Sequence, residues 1–161
     1  MERRVLGVMV TCTTYGTWLR GDRRGWVDDG VVYPPDRELQ EADHSRLKHT
    51  PYLFAEDAWH TVGELIGRAL IDRIKQRILA LTVQTWHVHW VVAASEVPIA
   101  DVVRCGKEAV RYGLRLGRPI WTDGYDKRFC FDEASLVARI AYVERHNIER
   151  HRGPRPWPFL S

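Results

Sequence analysis

Two histidines one residue apart stand in an apolar run, Gln84-Thr85-Trp86-His87-Val88-His89-Trp90-Val91-Val92. In an extended strand alternate side chains share a face, so His87 and His89 point one way while Val88 and Trp90 point the other. At a rise of about 3.3 Å per residue their Cα atoms lie about 6–7 Å apart, close enough for two imidazoles to converge on one cation. The plainer alternative is a pair of partly buried histidines satisfied by backbone carbonyls. A second pair stands late in the chain, in Ala141-Tyr142-Val143-Glu144-Arg145-His146-Asn147. Tyr142 and His146, four positions apart, fall one above the other on one face of a helix. Each also has a structural reading: Tyr142 as a core residue with its hydroxyl at the edge, His146 as a cation near a helix C-terminus. A catalytic metal centre needs at least three protein groups and an open position, so the value of the first pair depends on the second reaching it.

The elements that must hold these side chains can be read from pattern. Residues 4–18 are rich in β-branched and aromatic types and predict a first strand, ended by Gly16 and the turn formers of 19–30. A long loop over about 20–54 follows; from Val32 to about Thr50 it is polar and without sustained period, predicting a helical turn at most. Ala58, Val62, Leu65, Ile66, Ala69, Leu70 and Ile74 recur at three and four residues and predict a helix, with Glu56 and Asp57 in its first turn. Residues 77–86 and 87–95 read as neighbouring strands of a hairpin that lacks an Asn-Gly turn. Ile99, Val102, Val103, Ala109 and Val110 predict a second helix ending at Gly117, and 119–131 a strand with an irregular turn. The last helix starts from Asp132 as its cap with Glu133 in its first turn. Three prolines keep the tail 152–161 irregular, and its Trp157 and Phe159 pack either back on the body or across a subunit interface. The order β-α-β-β-α-β-α predicts one α+β domain over residues 1–161, a ferredoxin-like (RRM-like) plait with an antiparallel-rich central sheet covered by helices.

Composition narrows the class without naming a function. The chain has 161 residues, 45% of them apolar and 28% charged, as in an ordinary globular domain. Its net charge of +3 permits a polyanionic partner but does not demand one; the basic residues cluster near 2–4, 20–24 and 145–155. Cys12, Cys105 and Cys130 make no CxxC spacing, which argues against a disulfide framework or a cysteine zinc site and fits a reducing, cytoplasmic setting. The apolar stretch after the basic start is too short and too polar for a membrane span or signal peptide.

A strand carrying His-hydrophobic-His, an intervening helix and strand, and a late helix carrying Tyr142 with His146 resembles the HUH endonucleases of the single-tyrosine kind. These include the small transposases of simple insertion sequences and the REP-associated tyrosine transposases. Residues 11–26, 87–92 and 120–147 carry the resemblance, which covers nearly the whole chain. The family pattern has Asn before the first histidine, where this chain has Trp86, and Gln, Asn or His four residues after the tyrosine. Here His146 takes that place and Asn147 follows it; position i+5 is rotated away from Tyr142, which favours His146 over Asn147 as the third ligand.

The resemblance implies metal-dependent nicking and rejoining of single-stranded DNA beside a hairpin. His87, His89 and His146 would hold a divalent ion, Mg²⁺ or Mn²⁺, and Tyr142 would attack phosphorus to leave a 5′-phosphotyrosine and a free 3′-OH. On ligand preference alone, three imidazoles suit Mn²⁺ or Zn²⁺ better than Mg²⁺. Arg104, Lys107 and Arg111 on the second helix, Trp26 in the early loop, and Arg145 and Arg150 beside the tyrosine are expected along the DNA path; the alternative is plain solvated surface. Insertion-sequence relatives imply a homodimer, sometimes with the tyrosine helix acting on the partner's histidines, and REP-associated relatives a monomer. Two other functions fit the same plait: a catalytically silent single-stranded nucleic-acid binder, with Trp86 and Trp90 stacked on bases, and a metal hydrolase in which water attacks.

Overall fold

Alternation along a single strand divides the core of this protein in two. The computed structural model describes residues 2–160. In chain order its elements are β1 (Gly7–Thr13), β2 (Trp26–Asp28), β3 (Val31–Tyr33), α1 (Arg37–Ser45), α2 (Trp59–Ile74), β4 (Ile78–Val83), β5 (His87–Ala93), α3 (Ile99–Leu114), β6 (Asp126–Cys130) and α4 (Glu133–Glu149). The main sheet has the order β4-β5-β1-β6 with every neighbouring pair antiparallel. Val88, Trp90 and Val92 of β5 enter the larger apolar cluster with Val62, Ile66 and Leu70 of α2 and Val102 and Val110 of α3. Val91 enters a smaller cluster on the opposite face, with Met9, Leu79, Ala80 and Val143 of α4. Helices α2 and α3 thus cover one face, as in a plait, while the additional helix α4 covers the other, the face that His87 and His89 share with Val91.

Local chemistry closes each element. The β4–β5 hairpin turns at Gln84–Trp86, with Gln84 N–H donating to His87 O at 2.8 Å, so no Asn-Gly pair is needed. Asp132 caps α4 by accepting from Ser135 N–H at 2.7 Å, as the sequence predicts. Trp157 and Phe159 of the tail lie on α2 over Gly63 and Gly67, where a Cβ would collide with either ring. The tail therefore packs back on the body, with Trp157 fully buried and its indole N–H donating to His60 O at 3.0 Å. Arg152, just before it, donates to Val83 O at 2.5 Å on β4.

Four sequence expectations are corrected. The polar excursion holds a nine-residue helix, α1, rather than a helical turn. A side-chain cap, with Leu39 N–H donating to Asp36 at 3.1 Å, and the pairs Arg37–Glu41 (3.0 Å) and Arg20–Asp43 (2.7 Å) hold it. It buries no residue, so apolar periodicity carried no signal. The same loop contains the hairpin β2–β3, turned by Asp29-Gly30 with both residues at positive φ (48° and 74°), the backbone such a two-residue turn demands. Helix α2 begins at Trp59, which leaves Glu56 and Asp57 in the turn before it. Helix α3 ends at Leu114, and Arg115 (φ 50°) closes it in the left-handed conformation in place of Gly117. Among the described residues no helix is long and apolar enough to cross a membrane.

Candidate metal centre and tyrosine nucleophile

The register of β1 and β5 and the placement of α4 bring the two distant pairs together. The rings of His87 and His89 have centroids 4.7 Å apart, and His146 lies 6.1 Å from the first and 5.1 Å from the second. One nitrogen from each of the three lies within 4.8 Å of the others, the spacing of donors able to close on a single ion. The Tyr142 ring stands 5.5 Å from His89 and 4.8 Å from His146. All four side chains come from one chain. They line an open cleft of about 570 Å³ with Thr11, Trp18, Trp86, Asp126, Arg128 and Arg139.

Hydrogen bonds set the nitrogens of two of the histidines. His146 Nδ1 lies 2.8 Å from the carbonyl oxygen of Tyr142, which can only accept, so Nδ1 carries the proton and Nε2 is free to coordinate. His89 Nδ1 shares a 2.7 Å hydrogen bond with the Thr11 hydroxyl, its cross-strand partner, which again leaves Nε2. Thr11 is a neighbour of the histidine cluster that sequence reasoning missed, because strand register is not written in one strand. Among the described residues the buried Nδ1 of His87 has no hydrogen-bond partner. Imidazole nitrogens turned toward one another in this way fit a divalent ion.

Burial keeps His87 and His89 neutral. Burial pushes the His87 pKa down from 6.5 to about 4, with the charges of His146, Arg150 and Arg24 acting the same way. Burial, then His87 and His146, push His89 to about 3. In the unfolded chain both titrate near 6.5, so between that value and the folded ones the unfolded state binds more protons. Their contribution to stability is complete above about pH 6.5 and is lost as pH falls towards 4. The urea midpoint of the metal-free protein should accordingly be lower at pH 5 than at pH 7; a midpoint that rises on acidification would contradict this electrostatic picture.

Asn147 faces elsewhere. It is fully buried, accepts from Thr82 Oγ1 at 2.6 Å and donates to Leu81 O at 2.8 Å, and Gln84 Nε2 donates to the same threonine at 2.9 Å. These bonds latch α4 to β4, and they leave His146 as the member of the pair that meets the β5 histidines. Asn147→Ala should cost about 1–3 kcal/mol of stability, the usual result of orphaning buried polar groups. The Mn²⁺ affinity of the folded variant should stay near that of the parent. Lost Mn²⁺ binding at unchanged stability would make Asn147 the third ligand instead.

Comparison with known proteins bears on the fold. No protein-family model matches the chain, and no curated protein matches it. Among solved structures, a REP-associated tyrosine transposase bound to a REP hairpin aligns over 99% of this chain and 79% of its own, at 13% identity and a TM-score of 0.53. This chain has that transposase's fold. A crystal structure of a "putative transposase" from Deinococcus radiodurans R1 aligns over 89% of this chain and 92% of its own, at 15% identity and a TM-score of 0.46.

On this transposase fold the remaining sequence candidates fall in three places. Arg104, Lys107 and Arg111 line a groove of about 840 Å³ between α3 and residues 115–125, together with Arg115 and Arg118. Arg104 is paired with Asp101. The Lys107 ammonium donates to Thr122 O at 2.9 Å and Gly124 O at 2.7 Å, so it clamps the groove wall; burial lowers its pKa. Thr122 N–H in turn donates to Thr13 O at 3.0 Å, which joins that wall to the strand end opposite His87. Arg145 and Arg150 are exposed on and just after α4. Trp26 stacks on Tyr33 at 4.5 Å and donates to Pro34 O at 3.0 Å, and it lies outside the cleft lining. The aromatic in the cleft from the early loop is Trp18.

Proposed function

We propose that the protein is a metal-dependent transposase that nicks and rejoins single-stranded DNA through a 5′-phosphotyrosine. The reading is carried by one observation: the Tyr142 ring, 39% exposed, stands beside three clustered imidazoles that reach it from the strand and from its own helix. His87, His89 and His146 would hold Mn²⁺ or Mg²⁺, which when bound supplies Lewis-acid charge to a non-bridging oxygen of the scissile phosphate. The Tyr142 oxygen forms a bond to phosphorus as the bond from phosphorus to the 3′ oxygen breaks. The phenol gives up its proton, and the departing oxygen takes one up to become a free 3′-OH. One phosphodiester has replaced another, so a 3′-OH can reverse the step and join DNA without ATP. Arg128 and Arg139 in the cleft lining bring positive charge to the neighbouring phosphates.

The solved transposase of the same fold is bound to a REP hairpin, and we extend a hairpin partner, of single-stranded DNA, to this chain. Arg104 and Arg111 of the α3 groove would meet the stem phosphates, with Lys107 keeping the groove wall in place. Arg145 and Arg150 would flank the strand at Tyr142, and Trp26 would offer a base a face from the projecting hairpin. Free, buried thiols at Cys12, Cys105 and Cys130 fit work in the cytoplasm. The test is a labelled single strand carrying a hairpin, incubated with protein and Mn²⁺ and run on a denaturing gel. A protein-linked DNA band supports the proposal. Cleavage without a band makes water the nucleophile, and retention without cleavage makes the protein a silent binder.

A further inference from the structure

A metal-binding histidine is ordinarily aimed by a hydrogen bond from its second ring nitrogen, and loss of that partner weakens metal binding. His89 has Thr11 for this purpose and His146 has the Tyr142 carbonyl. Among the described residues the buried Nδ1 of His87 has no such partner. Something else must fix the χ angles of its ring. Its nearest aromatic neighbour is Trp86, the residue before it, with ring centroids 4.1 Å apart.

Trp86 is itself held on both sides. Its carbonyl accepts from Thr14 N–H at 2.8 Å, which pins the backbone at the entrance to β5. Its indole lies 5.6 Å from that of Trp18, and the Arg24 guanidinium lies over both rings, at 3.8 Å from Trp18 and 4.8 Å from Trp86. Arg24 is fixed in turn by two 2.7 Å bonds to the buried Asp22 carboxylate and one of 3.0 Å to Thr17 O. Trp18 Nε1 donates to Gly25 O at 2.9 Å, which closes the loop on itself. A rigid early loop therefore ends in a stack whose last member is the imidazole of a candidate ligand.

We propose that Trp86, clamped by Trp18 and Arg24, is a positioning residue that orients His87 for cation binding by packing where the other two histidines use hydrogen bonds. The inference rests on the metal-centre reading above. It makes residues 16–25 part of the metal centre without contributing a ligand, and it gives the tryptophan before the first histidine a role in this chain.

The test is direct Mn²⁺ binding without DNA, by calorimetry or by loss of the free-ion EPR signal. Trp86→Ala should weaken Mn²⁺ binding about 10–100-fold, the range for loss of a ligand's support. Trp86→Phe, which keeps a ring against His87, should restore affinity to within about threefold of the parent on the same scale. Arg24→Ala should fall between them. Far-UV circular dichroism checks that each variant is folded, and Arg24→Ala with Trp86→Phe carry the test if Trp86→Ala is not. A second readout is the long-range proton–nitrogen NMR spectrum of the metal-free histidines. The His87 ring signals should broaden or shift in Trp86→Ala while those of His146 stay in place. Parental Mn²⁺ affinity in folded Trp86→Ala, or in Arg24→Ala should Trp86→Ala not fold, overturns the proposal and reduces Trp86 to a cleft wall or DNA contact. A parent protein that binds no Mn²⁺ at all overturns the metal-centre reading instead, and this inference with it.

Discussion

Tyr142→Phe is expected to abolish the covalent protein–DNA adduct while leaving folding, Mn²⁺ binding and DNA binding intact. The substitution removes one oxygen. Among the described residues no hydrogen bond depends on that hydroxyl, and the residue is 39% exposed beside His146, so stability should change by no more than about 0.5 kcal/mol. The chemical effect is of a different order, because loss of a covalent nucleophile typically costs on the order of 10⁴–10⁶ in rate. Denaturing gels of the labelled strand should show the band in the parent and none in the variant. Cleavage persisting at the parental rate would remove Tyr142 from the reaction and leave the cation site with water as its nucleophile.

Loss of His89 should be nearly as severe by another route. It is 6% exposed and central to the cluster, with both other imidazoles within 5.1 Å of its ring. His89→Ala removes one of three donors, so Mn²⁺ binding should weaken by about 100-fold or more and strand cleavage should fall with it. It also orphans the Thr11 hydroxyl and opens a small void, for about 1–3 kcal/mol of lost stability. His146→Ala separates the two effects. His146 is only part-buried and bonds its own helix, so its removal should cost the metal while moving the urea midpoint little. If His89→Ala unfolds the protein and His146→Ala leaves Mn²⁺ affinity unchanged, the histidines are core residues and the metal reading fails.

The parts of the site legible in the sequence are those governed by local geometry. A period of two puts His87 and His89 on one face wherever β5 pairs, and four residues along a helix put His146 under Tyr142 whatever the helix packs on. Whether α4 lies on the face of those histidines is a tertiary fact, and it follows from Val143 meeting Val91 across the sheet. Thr11 was hidden because its role depends on register: a shift of one residue would place it opposite Val88 or Trp90 instead of His89. Helix α1 was hidden for another reason, being held by a cap and exposed ion pairs with no apolar stripe to betray it. The Asp29-Gly30 turn is a clear hairpin signal that the polar surroundings obscured. Lys107 has a bond pattern the sequence could not show, since its ammonium donates to two carbonyls distant along its own chain.

Tyr142 and His146 occupy successive turns of one helix that Asn147 and its partners fasten to the sheet edge. The phenol and the third imidazole are thus carried by one rigid element. On the proposed reading, an end tethered to this helix could not leave the β5 histidines without drawing the third imidazole away from the cluster.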